Sequence, residues 1–490
     1  MLFNSVTFVA FYVTVFAAYW LLHARRPQNL LLLGASWIFY GAWSWKFLLL
    51  LLASTVLDYV CGLLIDGAAS QRRKRLVLIV SVTSNLLFLA TFKYLGFFAA
   101  ELAALLERVG FDASLPVLNI VLPVGISFYT FQTIGYVVDV YRGKVRAERD
   151  FFDYALYVAF FPQLVAGPIE RAGHMLPQYK APRVWSAPKF ESGLQLAFWG
   201  LFKKVVIADK LAPYVDVVYG NPADFSGVAL VTATVFFAFQ IYCDFSGYTD
   251  TARGVARMLG FELMPNFAFP YISKSPVEFW QRWHISLSKW FQDYLYYPLA
   301  IRYMRKGGWG SKYKAHIVAM ALIGIWHGAN WTFLVFGLYW GCVIALYLFL
   351  QERAANAEPG GLAERIAGWT APVRDFGSVA LMFMLVSIGW VYFRAESIHD
   401  AWYVLTHVFS ASGAPDVMRP EIVDTAVLWT LIAGLCCAEW LYRHSDLVRR
   451  RLEANQLAAI AGRYALLAAI VVASGASQVD GARPFIYFQF

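Results

Sequence analysis

Residues 315–350 form an almost unbroken apolar stretch, AHIVAMALIGIWHGANWTFLVFGLYWGCVIALYLFL. A straight α-helix of this length would measure about 54 Å, whereas a membrane core is about 30 Å thick and takes about 20 helical residues to cross. The stretch must therefore contain more than one helix. Its middle reads Trp326-His327-Gly328-Ala329-Asn330, and glycine and asparagine favour a helix break. We predict two helical halves with a buried histidine at the break.

The composition of the whole chain indicates a membrane protein. Of the 490 residues, 59% are hydrophobic and only 15% are charged, against a charged share of about 25% in soluble proteins. This composition excludes a soluble globule, a disordered protein, a coiled coil, a disulfide-rich secreted scaffold and a nucleic-acid-binding domain. The apolar runs are continuous rather than alternating, which excludes a β-barrel. The expected fold class is an all-α polytopic membrane protein.

The basic clusters predict the orientation of the chain, because Lys and Arg accumulate on the cytoplasmic side of membrane proteins. The first apolar run, 6–22, has no Lys or Arg before it, so we expect it to be an uncleaved span rather than a signal peptide. The basic residues 72–75 and 449–451 are placed inside. A last span at about 457–474 then carries the C-terminus to the outer side. We expect about ten to twelve spans.

Several segments do not fit simple spans. The apolar stretch 151–169 is too short to cross twice and is predicted to be re-entrant. The mixed aromatic and basic residues 252–314 predict amphipathic or re-entrant helices around a cavity. The acidic residues 100–116 predict an outer loop, and 244–250 a polar break at the membrane surface. The cysteines have no metal-binding spacing and are expected to be reduced core residues: Cys61, Cys243, Cys342, Cys436 and Cys437.

Two histidines in apolar surroundings are candidates for acid–base chemistry. His327 can take a proton from a hydroxyl group and return it, because the pKa of imidazole is near neutrality. The alternative is a core histidine that is hydrogen-bonded to a neighbouring helix. His284 lies in the segment 278–288, whose Trp and Arg residues also fit an interfacial helix anchored at lipid headgroups. The same interpretation applies to the aromatic segment 293–297. No hydrolase, phosphate-loop or metalloprotease motif is present.

Five motifs resemble the membrane-bound O-acyltransferases (MBOAT), in the branch typified by the membrane subunits of bacterial alginate O-acetyltransferases. They are LPVGISFY at 122–129, GPIER at 167–171, DFSGY at 244–248, the segment 278–288, and WHGAN at 326–330. The resemblance covers nearly the whole chain. It implies a ring of helices around a central tunnel, formed by residues 1–484 with core motifs at 121–345, and a separate C-terminal tail at 485–490.

The resemblance also implies roles for individual residues. His327 matches the catalytic histidine of the family, and His284 matches a second histidine of the bacterial branch. Residues of the same motifs are expected to bind substrate: Trp326, Asn330, Asp244 and Arg282. The tail Phe485-Ile486-Tyr487-Phe488-Gln489-Phe490 is similar to an aromatic motif in which a tyrosine is thought to carry the acyl group. Tyr487 is therefore expected to relay the acyl group, with the alternative that His327 activates another acceptor directly.

The resemblance implies an enzyme of the bacterial inner membrane. It would move an acetyl group from a cytoplasmic thioester to an exported polysaccharide with the help of a periplasmic, esterase-like acetyltransferase. The expected donor is acetyl-CoA, whose phosphates the basic inner segments could attract, and an acyl carrier protein is the alternative. No bound cofactor, metal or nucleic acid is expected. The alternatives are a D-alanyl transferase acting on teichoic acid, which the fused tail disfavours, and a transporter or flippase, which the missing internal repeats disfavour.

Overall fold

The computed structural model describes residues 1–111, 121–307, 310–356, 371–417, 423–444 and 485–486, and these residues contain α-helices and no β-strand. The N-terminal helices are α1 (Val6–Leu21), α2 (Arg25–Gly41), α3 (Trp45–Asp66), α4 (Gln71–Lys93), α5 (Leu95–Arg108), α6 (Ile126–Tyr141), α7 (Phe151–Ala159), α8 (Ala172–Lys180) and α9 (Ala187–Phe202). The later helices are α10 (Asp209–Gly220), α11 (Gly227–Met258), α12 (Pro276–Arg282), α13 (Ile285–Phe291), α14 (Tyr297–Lys306), α15 (Ser311–His327), α16 (Trp331–Ala355), α17 (Ala371–Arg394), α18 (Ile398–Thr406) and α19 (Thr425–His444). The described residues also include two π-helical segments, at Lys203–Ala208 and Gln292–Tyr296.

Six helices in the described part of the chain are long and apolar enough to cross a membrane. They are α3, α4, α11, α16, α17 and α19. Large apolar side chains are exposed on them, for example Leu76, Leu87 and Leu346, and such surfaces are stable against lipid rather than water. The predicted all-α, multi-pass membrane fold is confirmed. The total of ten to twelve spans stays a prediction, and the predicted last span at 457–474 lies outside the described residues.

The chain divides into two compact units. Among the described residues, unit 1 comprises Met1–Ala197 and Tyr248–Pro265, and unit 2 comprises Phe198–Gly247 and Asn266–Ile486. In unit 1, α3 packs against α4 and α6. The buried Asp58 carboxylate of α3 accepts hydrogen bonds from Ser81 Oγ at 2.6 Å and Asn85 Nδ2 at 2.8 Å. These bonds compensate the loss of water around a carboxyl group between apolar helices.

The GPIER motif at 167–171 has a structural function in unit 1. The Glu170 side chain is buried, and its Oε1 accepts a hydrogen bond from the backbone N–H of Met264 at 2.6 Å. Its Oε2 lies 2.7 Å from Nδ1 of His174. A Cβ on Gly167 would lie only 2.3 Å from the Cα of Gln163, so the turn before Glu170 has no room for a side chain there.

The Glu170–His174 pair predicts a pH-dependent stability. The hydrogen bond that His174 Nδ1–H donates to the Glu170 carboxylate, together with the negative charge of Glu170, raises the pKa of His174 above its ordinary value. This stabilisation is complete below the unfolded pKa of about 6.5 and is lost as the pH rises through the higher folded pKa. The excess melting temperature of the wild type over His174→Gln, followed by tryptophan fluorescence, should be larger at about pH 6 than at about pH 9. A difference that does not change with pH would contradict this role.

In unit 2, α15 and α16 are antiparallel neighbours that pack closely against each other at glycine residues. A Cβ on Gly324 would lie 2.2 Å from the carbonyl oxygen of Phe333, and one on Gly337 would lie 2.4 Å from that of Met320. Gly341 repeats the pattern one turn later. Small residues allow two membrane helices to approach closely and to gain van der Waals contact. The predicted break in 315–350 is present, since α15 ends at His327 and α16 begins at Trp331.

Three expectations about local structure are wrong. The acidic stretch predicted as an outer loop, 100–116, begins within α5, which continues to Arg108. The predicted polar break at 244–250 is absent, because α11 runs through it as one helix. Asp244, Ser246 and Thr249 are buried there, and Asp244 and Asp250 make ion pairs within the protein. Only Cys61 and Cys243 are core residues. The other three cysteines, also free thiols, lie on exposed faces of apolar helices.

Candidate active site

His327 is the last residue of α15 and is buried, with 4% of its surface exposed. Aromatic rings from three helices surround its imidazole. The ring centroids of Trp326, Phe393 and Phe336 lie 4.9, 5.1 and 5.9 Å from that of the histidine. The sequence did not identify Phe393, which belongs to α17 and comes close only through the packing of α16 against α17. The imidazole therefore has apolar walls and little access to bulk water.

The residues after His327 hold the break in place. Asn330 caps α16, because its Oδ1 accepts the backbone N–H of Thr332 at 3.1 Å, and its Nδ2 donates to the carbonyl oxygen of Glu396 at 2.8 Å. A Cβ on Gly328 would lie 2.1 Å from the ring of Phe333. Both residues thus fix the end of α15 and the position of His327. The role of Asn330 in binding substrate stays a prediction.

His284 occupies a strained position between α12 and α13. Its φ angle is +42°, in the left-handed region that side-chain-bearing residues rarely adopt. Asn266 holds the following residues, because its carbonyl oxygen accepts the N–H of Ile285 at 2.9 Å and its Oδ1 accepts that of Ser286 at 3.1 Å. Strain of this kind often occurs at functional sites, where the surrounding structure compensates it. Asn266 gave no signal in the sequence.

The two histidines are neighbours of the same tryptophan. The ring centroid of Trp326 lies 6.2 Å from that of His284 and 4.9 Å from that of His327. His284 is fully buried, and burial lowers its pKa to about 3, so its imidazole is neutral at physiological pH. The geometry supplies two imidazoles around one indole, in surroundings where a proton can be transferred without competition from water.

The aromatic residues around His284 form part of the core. Trp283 is 1% exposed, and its ring centroid lies 4.8 Å from that of Trp390 in α17. The ring of Phe279 stacks on that of Trp340 at 5.2 Å. The interpretation of 278–288 as an interfacial helix anchored at headgroups is therefore wrong. The packing of these side chains places the backbone around His284 in the interior of unit 2.

Arg282 and Asp244 make ion pairs within unit 2. The guanidinium of Arg282 lies 2.8 Å from Glu278 Oε1 and donates to the carbonyl oxygen of Ala268 at 2.9 Å. Asp244 Oδ1 lies 2.5 Å from Nζ of Lys204. Sequence reasoning missed Lys204, although a Lys-Lys pair next to apolar residues is a signal for a buried charge. Substrate binding by Arg282 and Asp244 stays a prediction, and Tyr487 lies outside the described residues.

The His284 imidazole can be tested separately from its backbone strain. Asparagine tolerates the left-handed conformation better than most residues, so His284→Asn should keep the fold while removing the imidazole. We expect acyl transfer to fall at least about tenfold, since a positioned proton-transfer group contributes about 10²- to 10⁴-fold. The measurement is the initial rate of acyl transfer by purified protein of unchanged melting temperature. A wild-type rate would assign His284 a purely structural role.

Comparisons with known proteins identify relatives of this chain. Residues 145–360, which include both histidines, match the MBOAT, membrane-bound O-acyltransferase family. The probable alginate O-acetylase AlgI of Azotobacter vinelandii is 38% identical over 442 residues, which cover 89% of this chain and 84% of that protein. The peptidoglycan O-acetyltransferase of Helicobacter pylori is 34% identical over 84% of this chain and 80% of its own length. The teichoic acid D-alanyltransferase of Bacillus subtilis is 27% identical over 57% of this chain and 71% of its own length.

The extent of these similarities identifies the family. The alginate O-acetylase is related over most of both chains, and the family match contains the WHGAN break with its buried histidine. The apolar helices agree with the membrane location that the family description states. The chain belongs to the membrane-bound O-acyltransferase family and is a multi-pass membrane acyltransferase.

Proposed function

We propose that this protein moves an acetyl group from acetyl-CoA, at the cytoplasmic side of a bacterial inner membrane, towards an exported polysaccharide. The observation that carries this proposal is the buried His327 at the break between α15 and α16, beside Trp326 and near His284. A base held inside a membrane protein can activate an acceptor that approaches from one side for attack on a donor that approaches from the other. Acetyl-CoA enters as a substrate rather than as a resident cofactor.

The comparisons favour acetyl over D-alanyl transfer. Relatives named as acetylases or acetyltransferases match more of this chain, at higher identity, than the teichoic acid D-alanyltransferase does. Their names specify alginate in one case and peptidoglycan in the other. We therefore propose an exported glycan as the final acceptor, without assigning its sugar.

The chemistry of the transfer is a general-base reaction. The imidazole of His327 accepts the proton of an acceptor hydroxyl while the hydroxyl oxygen attacks the carbonyl carbon of the thioester. A C–O bond forms and the C–S bond breaks. The departing thiolate takes the proton from the imidazolium, which restores His327. The aromatic walls around His327 keep water from competing with the acceptor hydroxyl.

The proposed acceptor hydroxyl is that of Tyr487, in the C-terminal tail. A phenol with a pKa of about 10 needs a base for attack at neutral pH, which His327 would supply. The resulting phenyl ester is reactive, because phenolate is a better leaving group than an alkoxide. A periplasmic, esterase-like acetyltransferase would then move the acetyl group from Tyr487 to a sugar hydroxyl and regenerate the tyrosine.

The relay can be tested on the exported polysaccharide. Tyr487→Phe removes only the hydroxyl, so the acetyl ester content of the polysaccharide should fall by about 10²-fold or more, since covalent relay requires that oxygen. The ester content is measured as acetate released by mild alkali. Tyr442→Phe, at an exposed tyrosine of α19, is the matched control. If Tyr487→Phe keeps wild-type acetylation, the relay is wrong and His327 acts on another acceptor.

A further inference from the structure

A buried ion-pair cluster lies at the junction of α9 and α10. The segment Lys203–Ala208 is π-helical, and its first two residues, Lys203 and Lys204, are both buried, with 2% exposure each. A π-helical turn is wider than an α-helical one, and such turns occur frequently at functional sites. Lys204 Nζ lies 2.5 Å from Asp244 Oδ1 and 2.9 Å from Asp209 Oδ1. The ammonium group of Lys204 thus forms ion pairs with two carboxylates.

The C-terminal tail contacts this cluster. The backbone N–H of Ile486 donates a hydrogen bond to Asp244 Oδ2 at 2.7 Å. The Nζ of Lys204 lies 4.6 Å from the ring centroid of Phe485, within the range of a cation–π interaction. Phe485 is 2% exposed and Ile486 is 7% exposed. The end of the chain therefore enters the interior of unit 2 at these two residues.

The contacts complement the charge of the cluster. Two carboxylates share one lysine, so the second oxygen of Asp244 gains from another donor, and buried charges are stable only when their remaining hydrogen-bonding positions are used. The N–H of Ile486 is such a donor. The face of the Phe485 ring covers the lysine on another side. The tail thus supplies a hydrogen-bond donor to Asp244 and an aromatic face to Lys204.

The cluster is adjacent to the histidine site along α11. Phe245 follows Asp244 directly, and its ring centroid lies 4.7 Å from that of His284. Consecutive residues of one helix thus contact the tail and the histidine. We propose that Lys204 and Asp244 form a receptor for the C-terminal tail, which binds the ring of Phe485 and the N–H of Ile486 and positions the residue that follows. The receptor stands on the contacts alone, and only its use in positioning Tyr487 rests on the proposed function.

Hydrogen exchange in the full-length protein tests the receptor without any acyl transfer. The Ile486 amide should exchange slowly in the wild type, and about ten- to a hundredfold faster in Asp244→Asn, because a hydrogen bond to a charged group is weakened. Phe485→Leu changes only the tail and should also speed exchange of the Ile486 amide. It tests the receptor even if Asp244→Asn does not fold. Lys312→Met, which removes an exposed ion pair with Glu352, is the matched control with wild-type exchange. Wild-type exchange in both Asp244→Asn and Phe485→Leu would overturn the receptor.

A kinetic comparison tests the positioning. Ile486→Pro removes the N–H that Asp244 accepts, whereas Ile486→Val keeps it. With labelled acetyl-CoA, the saturating rate constant for labelling Tyr487 should be about ten- to a hundredfold lower in the proline than in the valine variant, at an unchanged half-saturating concentration of acetyl-CoA. Equal rate constants would overturn the positioning. Fast exchange in the tail variants together with an unlabelled wild-type Tyr487 would support the receptor and contradict the relay.

Discussion

Replacing His327 by alanine is expected to reduce acyl transfer by about 10²- to 10⁴-fold, which is the usual contribution of a positioned proton-transfer group. The fold should survive, because the imidazole lies at a helix end, where the cap by Asn330 and the glycine packing remain. The measurement is the initial rate of acetyl transfer by purified protein, together with its melting temperature. The residual rate should not recover at higher donor concentration, because the change acts on kcat.

The matched control for this experiment is His316→Ala. His316 lies on the same helix, α15, where its ring stacks on Tyr296 at a centroid distance of 4.3 Å. Its removal also deletes a histidine from α15 and leaves the aromatic walls around His327 intact. We expect a transfer rate within about twofold of wild type. Equal losses in both variants would mean that the effect reflects α15 as a whole rather than the base.

Replacing Gly324 by alanine is expected to destabilise unit 2 and to lower activity together. The new Cβ would lie 2.2 Å from the carbonyl oxygen of Phe333, so α15 and α16 must separate. Overpacking costs about 1–3 kcal/mol, which corresponds to a fall in melting temperature of roughly 2–5 °C for a unit of this size. Because His327 lies one turn after Gly324, the imidazole would be displaced from its aromatic walls.

The control for the glycine variant is Gly377→Ala in α17. Apart from the backbone of its own helix, no atom of the described residues lies within 4 Å of a Cβ at Gly377, and alanine is the better helix former by up to about 1 kcal/mol. The melting temperature, followed by tryptophan fluorescence, should stay the same or rise slightly. A Gly324→Ala protein as stable as Gly377→Ala would show that the close approach of α15 and α16 is unimportant.

Features set by length and apolarity could be predicted from the sequence. The break at 326–330 follows from a stretch too long for one helix, together with residues that favour a turn. The membrane fold follows from the scarcity of charge. From its surroundings in the sequence, His327 fits both a general base and a core histidine, and only the family motifs favour the base. In the structure its imidazole lies among Trp326, Phe336 and Phe393.

Features set by tertiary packing could not be predicted. The polar residues 244–250 predict an interruption of a helix, but Asp244 is stable inside α11 because Lys204, 40 positions earlier, supplies its charge partner. The left-handed backbone of His284 depends on hydrogen bonds to Asn266. Phe393 contacts His327 only because α17 packs beside it. Burial of Trp283, rather than contact with headgroups, follows from its stacking against Trp390. Pairwise proximity of this kind leaves no local pattern in the sequence.

The central claim is that His327 activates an acceptor for an acyl group inside the membrane protein. It is tested most directly by incubating purified wild type and His327→Ala with isotope-labelled acetyl-CoA and analysing the C-terminal peptide by mass spectrometry. We predict label on Tyr487 in the wild type and none in His327→Ala. Label on Tyr487 at the wild-type rate in His327→Ala would contradict the claim.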